Sequence, residues 1–143
     1  MTSVVFLHDV NDRLRAAAAW LSLPRAAGAS VAVFIPDSQR AEQLDRLLWE
    51  QNLTGFTPHC RQQNSLSAET PIVLCTARDV QWPCKTVLNL SDEIPAHLDQ
   101  IDQLVEIVSQ DNETRTTGRV RFRSYQEAGF VVEARNAGKE LAT

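Results

Sequence analysis

The 143-residue sequence has no apolar run longer than the six residues 16–21 (AAAAWL), far short of the roughly 20 that a bilayer-spanning helix requires. Nothing in it is expected to cross a membrane. Cysteine is limited to Cys60, Cys75 and Cys84, an odd number with no CxxC pair, which excludes a disulfide framework and suits reduced thiols. Glycine is scarce, and none stands where the first strand should meet its helix, at His8-Asp9-Val10-Asn11-Asp12. Neither GxGxxG nor GxxxxGK[ST] occurs, and two carboxylates at that turn repel a phosphate, so ordinary dinucleotide and P-loop chemistry is excluded. Basic residues are in the minority, 14 against 18 acidic ones, and a net charge of −4 argues against a surface that binds polyanions as a whole. The opening MTSVVFLHD has no basic n-region and is interrupted by His8 and Asp9 before an export core forms, so the expected compartment is the cytoplasm.

What is present suits one compact domain over residues 1–143. Residues 3–7 form a short β-branched run, and Asp9, Asn11 or Asp12 can cap the Ala- and Leu-rich helix that follows, which Pro24 and Gly28 end. Residues 31–35 (VAVFI) form the clearest strand. Pro36-Asp37-Ser38 is turn and cap chemistry, followed by Ala41, Leu44, Leu47 and Leu48 at helical spacing as far as about Gln51. Residues 56–60, 72–76 and 86–90 read as further short strands, 103–109 fits a strand or a short helix with strand preferred, and 62–70 (QQNSLSAET) is the most loop-like interior stretch. Residues 111–127 read as a last helix, weakened at Gly118 by about 1 kcal/mol relative to alanine and ended by Gly129; the last ten or so residues have tail composition. This order predicts an α/β fold: a mostly parallel central sheet with helices on both faces, Rossmann-like without the nucleotide loop, and a C-terminal surface helix.

Candidates for catalysis are few. Asp9 and Asp12, with His8 beside them, can be read as Mg2+ ligands of a small hydrolase or transferase at the sheet edge, or as local helix caps, the reading favoured for Asp at such positions. His59 and Cys60 belong to no recognisable ligand pair, Cys75 lies in a strand-like run, and His97 has no nucleophile or acid at motif spacing. No cofactor, metal or catalytic residue is expected.

Two other features stand out. Between Thr114 and Gln126 lie Arg115, Arg119, Arg121 and Arg123 with no acid, whereas residues 1–109 carry eight basic and thirteen acidic side chains. On a helix Arg115, Arg119 and Arg123 follow i, i+4, i+8 and form one ridge, with Phe122 three residues beyond Arg119. Such a stripe beside a ring suits an acidic peptide with a hydrophobic end; it equally describes a solvated face with Phe122 turned inward, and contact with DNA phosphates is a third reading, disfavoured by the acidic net charge. The second feature is residues 44–59 (LDRLLWEQNLTGFTPH), where Trp49, Leu53 and Phe56 can anchor a partner or belong to the core.

LDRLLW followed by FTPH, together with RVRFRSYQEAGF near the C-terminus, resembles the chi subunit family of the bacterial DNA polymerase III holoenzyme. The resemblance extends more loosely over the whole chain and implies an α/β accessory subunit of the clamp-loader complex that catalyses nothing itself. It implies two partners: the psi subunit, on a surface around Trp49, Leu53 and Phe56, and the acidic, Phe-ended C-terminal tail of single-stranded-DNA-binding protein, at Arg115, Arg119, Phe122 and Arg123. In some members a helicase shares the psi surface. The chain departs from the family in carrying Gly118 inside the basic helix, in arginines where lysine is frequent, and in a tail without an aromatic ending.

Overall fold

A computed structural model describes residues 2–21, 31–50, 59–61, 72–76, 82 and 85–136, and of 48–50 and 59–61 the backbone only. Its elements in chain order are β1 (Ser3–Val10), α1 (Arg13–Leu21), β2 (Val31–Phe34), α2 (Ser38–Glu50), β3 (His59–Arg61), β4 (Ile72–Cys75), β5 (Thr86–Asn89), a 3-10 turn (Leu98–Gln100), β6 (Gln103–Ser109), α3 (Asn112–Glu127) and β7 (Val131–Asn136). The strands form one seven-stranded sheet in the order β3-β4-β2-β5-β6-β1-β7. Every pairing is parallel.

The two helical layers follow from the handedness of parallel crossovers, which are right-handed almost without exception. From β1 through α1 to β2, and on through α2 to β3, the chain moves toward the β3 edge; from β6 through α3 to β7 it moves the other way. A right-handed crossover in the opposite direction places its helix on the opposite face. Accordingly Ala17, Leu21, Ala41 and Leu44 pack with Val5, Val33, Leu74, Leu88 and Ile107, while Tyr125 and Phe122 pack with Val4, Phe6, Phe34, Leu104 and Val108. Strands buried on both faces carry continuous apolar runs, which is why 31–35 and 72–75 show no alternation.

Each helix begins at an aspartate. Asp12 Oδ1 accepts from Arg15 N (3.1 Å), Asp37 Oδ1 from Gln39 N (2.9 Å) and Asp111 Oδ2 from Thr114 N (3.0 Å), so each carboxylate satisfies a donor that the first helical turn leaves free.

The structure differs from the sequence-based expectation at two places. β1 continues to Val10 through a register shift against β6, with Asp9 in the left-handed region (φ 65°), so Asp9 lies in the strand and Asp12 alone caps α1. The basic helix is not the last element: residues 131–136 form β7, paired with β1 over six residues. The helix itself, α3, lies on the surface as expected, with Gly118, Arg121 and Tyr125 buried along its inner face. The expected stop of α1 at Pro24 and Gly28, the loop at 62–70, Cys84 and the segment 137–143 lie outside the described residues.

Candidate functional site

Spacing along α3 sorts its arginines. Gly118, Arg121 and Tyr125 recur at three and four residues and make the buried stripe, and Arg115, Arg119 and Arg123 form the adjacent ridge, all three exposed. Two residues beyond Arg119, Arg121 falls on the other side of the helix and enters the core. None of the three ridge arginines stands in an ion pair among the described residues.

Beneath the helix is a buried polar cluster centred on Glu106, which is fully buried in β6. Arg121 grips it with both ends of the fork, Nε to Oε2 at 3.1 Å and Nη2 to Oε1 at 3.2 Å. Tyr125 Oη donates to Oε2 at 2.6 Å, and Asn89 Nδ2 donates to the same oxygen at 2.9 Å from the neighbouring strand. Asn89 in turn accepts from Ser91 N (2.9 Å) and Ser91 Oγ (2.6 Å). Burial, and next the Glu106 charge, push the Tyr125 hydroxyl far above its ordinary range, so it remains a donor to the carboxylate. Across the sheet, Arg13 donates to Ile107 O (2.7 Å), Ser91 O (2.7 Å) and Asp92 Oδ1 (3.1 Å), tying the start of α1 to the C-terminal ends of β5 and β6; its own burial lowers its pKa, opposed first by Glu106. Through Arg121 and Tyr125 the cluster ties α3 to β6.

A pocket of about 270 Å3 opens between the first half of α3 and the C-terminal ends of β1, β6 and β7. Ligands of open α/β sheets gather at this edge of the strands. Phe6, Val108, Gly118, Phe122 and Ala134 give it an apolar floor, Arg115 and Arg119 a cationic wall, and His8 and Asp9 the opposite rim. Phe122 is half-buried with its ring centroid 5.0 Å from that of Phe6, so one side of the ring is in the core and the other lines the pocket. Asp9 Oδ2 is held by His8 Nδ1 (2.7 Å) and Asn136 Nδ2 (3.2 Å). Arg123 lies outside this pocket, in a second groove along α3 that shares Arg119 with it.

The structure therefore brings Arg115, Arg119 and Phe122 together and sets Arg123 one turn away. Trp49 lies in the last turn of α2 with its side chain undescribed, and Leu53 and Phe56 lie outside the described residues, as do the side chains of His59 and Cys60. Cys75 is a buried thiol. Among the described residues no three His, Cys, Asp or Glu side chains are grouped so as to hold a metal ion, and no helix is long and apolar enough to cross a membrane. Sequence reasoning missed Glu106, Asn89, Phe6 and Val108. A signal for the first was present: a single carboxylate inside the run Leu104-Val105-Glu106-Ile107-Val108 demands a buried cationic partner.

These features define a Rossmann-like α/β domain without the glycine-rich nucleotide loop. The family described as DNA polymerase III chi subunit, HolC, matches residues 1–133, and the chain belongs to that family, which places it in DNA replication. It is similar to the DNA polymerase III subunit chi of Haemophilus influenzae, with 25% identity over 130 residues covering 86% of this chain and 83% of that protein. The Pseudomonas aeruginosa subunit chi is 25% identical over 125 residues, 87% of each. Among the solved structures that share the fold is that of an S. cerevisiae Dbp5 C-terminal domain variant bound to Gle1 and IP6 (TM-score 0.67, 10% identity, 96% of this chain and 91% of that one). Another is that of E. coli SrmB bound to RraA (TM-score 0.61, 13% identity, 99% of this chain and 94% of that one).

Proposed function

We propose that this chi-family chain is a non-catalytic adaptor of the replicative polymerase, linking the psi subunit to the acidic C-terminal tail of single-stranded-DNA-binding protein. The observation that carries this reading is the meeting of Arg115, Arg119 and Phe122 in one pocket with an apolar floor. The ring of a terminal Phe packs on Phe122, Phe6 and Val108, the terminal carboxylate pairs with Arg115 or Arg119, and preceding acids follow the ridge toward Arg123. Psi takes the surface around Trp49, Leu53 and Phe56, a reading supported by the LDRLLW and FTPH segments. The whole chain acts as one domain, in the cytoplasm.

The test is binding of a Phe-ended acidic peptide and of an oligothymidine to the wild type and to Arg119→Ala. Micromolar peptide binding that weakens with salt, a loss of about 1–3 kcal/mol on substitution, and little affinity for DNA are expected. Tight oligothymidine binding without peptide binding transfers the arginine ridge to DNA and ends the adaptor reading.

A further inference from the structure

The backbone of β1 goes out of its way to bring a carboxylate to the α3 pocket. Val5 and Leu7 pack on the α1 side of the sheet and Phe6 on the α3 side. Alternation then assigns His8 to the α3 side and Asp9 to the other. The register shift against β6 between Leu7 and Val10, with Asp9 at φ 65°, breaks that alternation: Asp9 lines the same pocket as His8, and Val10 returns to the α1 side. Bulges of this kind re-aim a side chain. Asp9 is the one carboxylate among the described residues that line the pocket, and among those residues it forms no ion pair with Arg115 or Arg119.

A negative group facing an acidic ligand is unfavourable unless the ligand brings it a donor. The two oxygens of Asp9 differ in this respect. Oδ2 accepts from His8 Nδ1 and from Asn136 Nδ2 of β7, which fix the carboxylate, while Oδ1 accepts from none of the described residues. An acidic, Phe-ended peptide has carboxylates that only accept and a ring that only packs, so its donors are its backbone N–H groups. At about 270 Å3 the pocket lies below the span of about 300–1,000 Å3 usual for small-molecule sites, so the last residue of the peptide is the part that enters. Its amide N–H then needs an acceptor. The arginine wall has donors only, and Ser109 Oγ is spent on Asp111 Oδ1. We propose that Asp9 is a specificity-determining residue of this pocket: its Oδ1 accepts the amide N–H of the last residue of the bound chain, whose carboxylate goes to Arg115 or Arg119 and whose ring goes to Phe122. The inference rests on the adaptor reading and states what the pocket selects, a free C-terminal residue with an unsubstituted amide. Donor and acceptor walls on opposite sides also fix the direction of the bound chain, since reversing it sets a carboxylate against Asp9.

The test is calorimetric titration of a Phe-ended acidic peptide, and of the same peptide N-methylated at its last amide, into the wild type, Arg119→Ala, Asp9→Asn and Asp9→Gly. Glycine keeps the left-handed backbone of position 9 without strain, and asparagine tolerates it while offering a neutral acceptor. The readout is the ratio of the two affinities on each protein, in which the effect of the lost charge on the peptide's acids cancels. Methylation is expected to weaken binding to the wild type by about tenfold or more, to Asp9→Asn by less, and to Asp9→Gly by less than about twofold. Equal ratios for the wild type and Asp9→Gly, or no methylation penalty on the wild type, overturn the role of Asp9, while binding that still depends on Arg119 leaves the adaptor reading standing. Should circular dichroism show Asp9→Gly unfolded, a penalty on Asp9→Asn equal to that on the wild type overturns it instead. A wild type that does not bind the unmodified peptide ends both.

Discussion

Gly118 lies directly against Val108: a Cβ built on this glycine of α3 stands 2.9 Å from Val108 Cγ2 of β6. The residue that weakens the basic helix as an isolated segment is the one that lets it approach the sheet. Gly118→Ala is therefore expected to lower the unfolding free energy, although helix propensity by itself favours alanine by about 1 kcal/mol, because overpacking against a stiff valine costs about 1–3 kcal/mol. Denaturant unfolding checks the sign; an alanine variant more stable than the wild type removes the close-packing account.

The four arginines of α3 separate by stability. Arg121→Ala leaves the Glu106 carboxylate buried and short of its bidentate partner, and is expected to cost about 3–5 kcal/mol. Arg119→Ala, on the exposed ridge, should stay within about 0.5 kcal/mol of the wild type. Comparable losses for both in urea titrations contradict the division of the helix into a buried stripe and an exposed ridge.

Peptide binding should order the same residues the other way. Arg115→Ala and Arg119→Ala, which line the pocket, are expected to weaken a Phe-ended acidic peptide more than Arg123→Ala does, and all three should flatten the salt dependence. Titration calorimetry at two ionic strengths measures both. A dominant effect of Arg123 shifts the binding surface to the second groove.

Asp111 links folding to acid. Hydrogen bonds from Ser109, then Thr114, hold its carboxyl at about 2, below the ordinary aspartate range near about 3.9. With the folded value depressed, the contribution is complete above the unfolded pKa and is lost as pH falls through the interval down to about 2. The stability gap between the wild type and Asp111→Asn is expected to narrow between about pH 4 and pH 2. A gap that stays constant across this range means that the cap does not titrate with folding.

Much of the fold is legible along the chain because its causes are local. The unbroken apolar runs at 31–35 and 72–75 suit strands covered on both faces, and aspartates at 12, 37 and 111 each precede a helical period. β7 was not legible: Val131 and Val132 are followed by Glu133, Arg135 and Asn136, and an edge strand with one open face is polar enough to read as a tail. The ridge could be read from i, i+4 spacing, but the pocket could not, since Phe6, Val108 and Ala134 reach Phe122 from three different strands.

By itself, the sequence determined the parallel α/β class, the absence of a nucleotide loop and the segregation of arginine on one helix, because each depends on the order and period of neighbouring residues. Only tertiary structure decided which arginine is sacrificed to the core and which ones stay exposed. A carboxylate buried at Glu106 needs a cation wherever the sheet brings one within reach, and close approach over Gly118 brings Arg121. Contacts between residues far apart in the chain depend on how layers pack, and no local pattern encodes that distance.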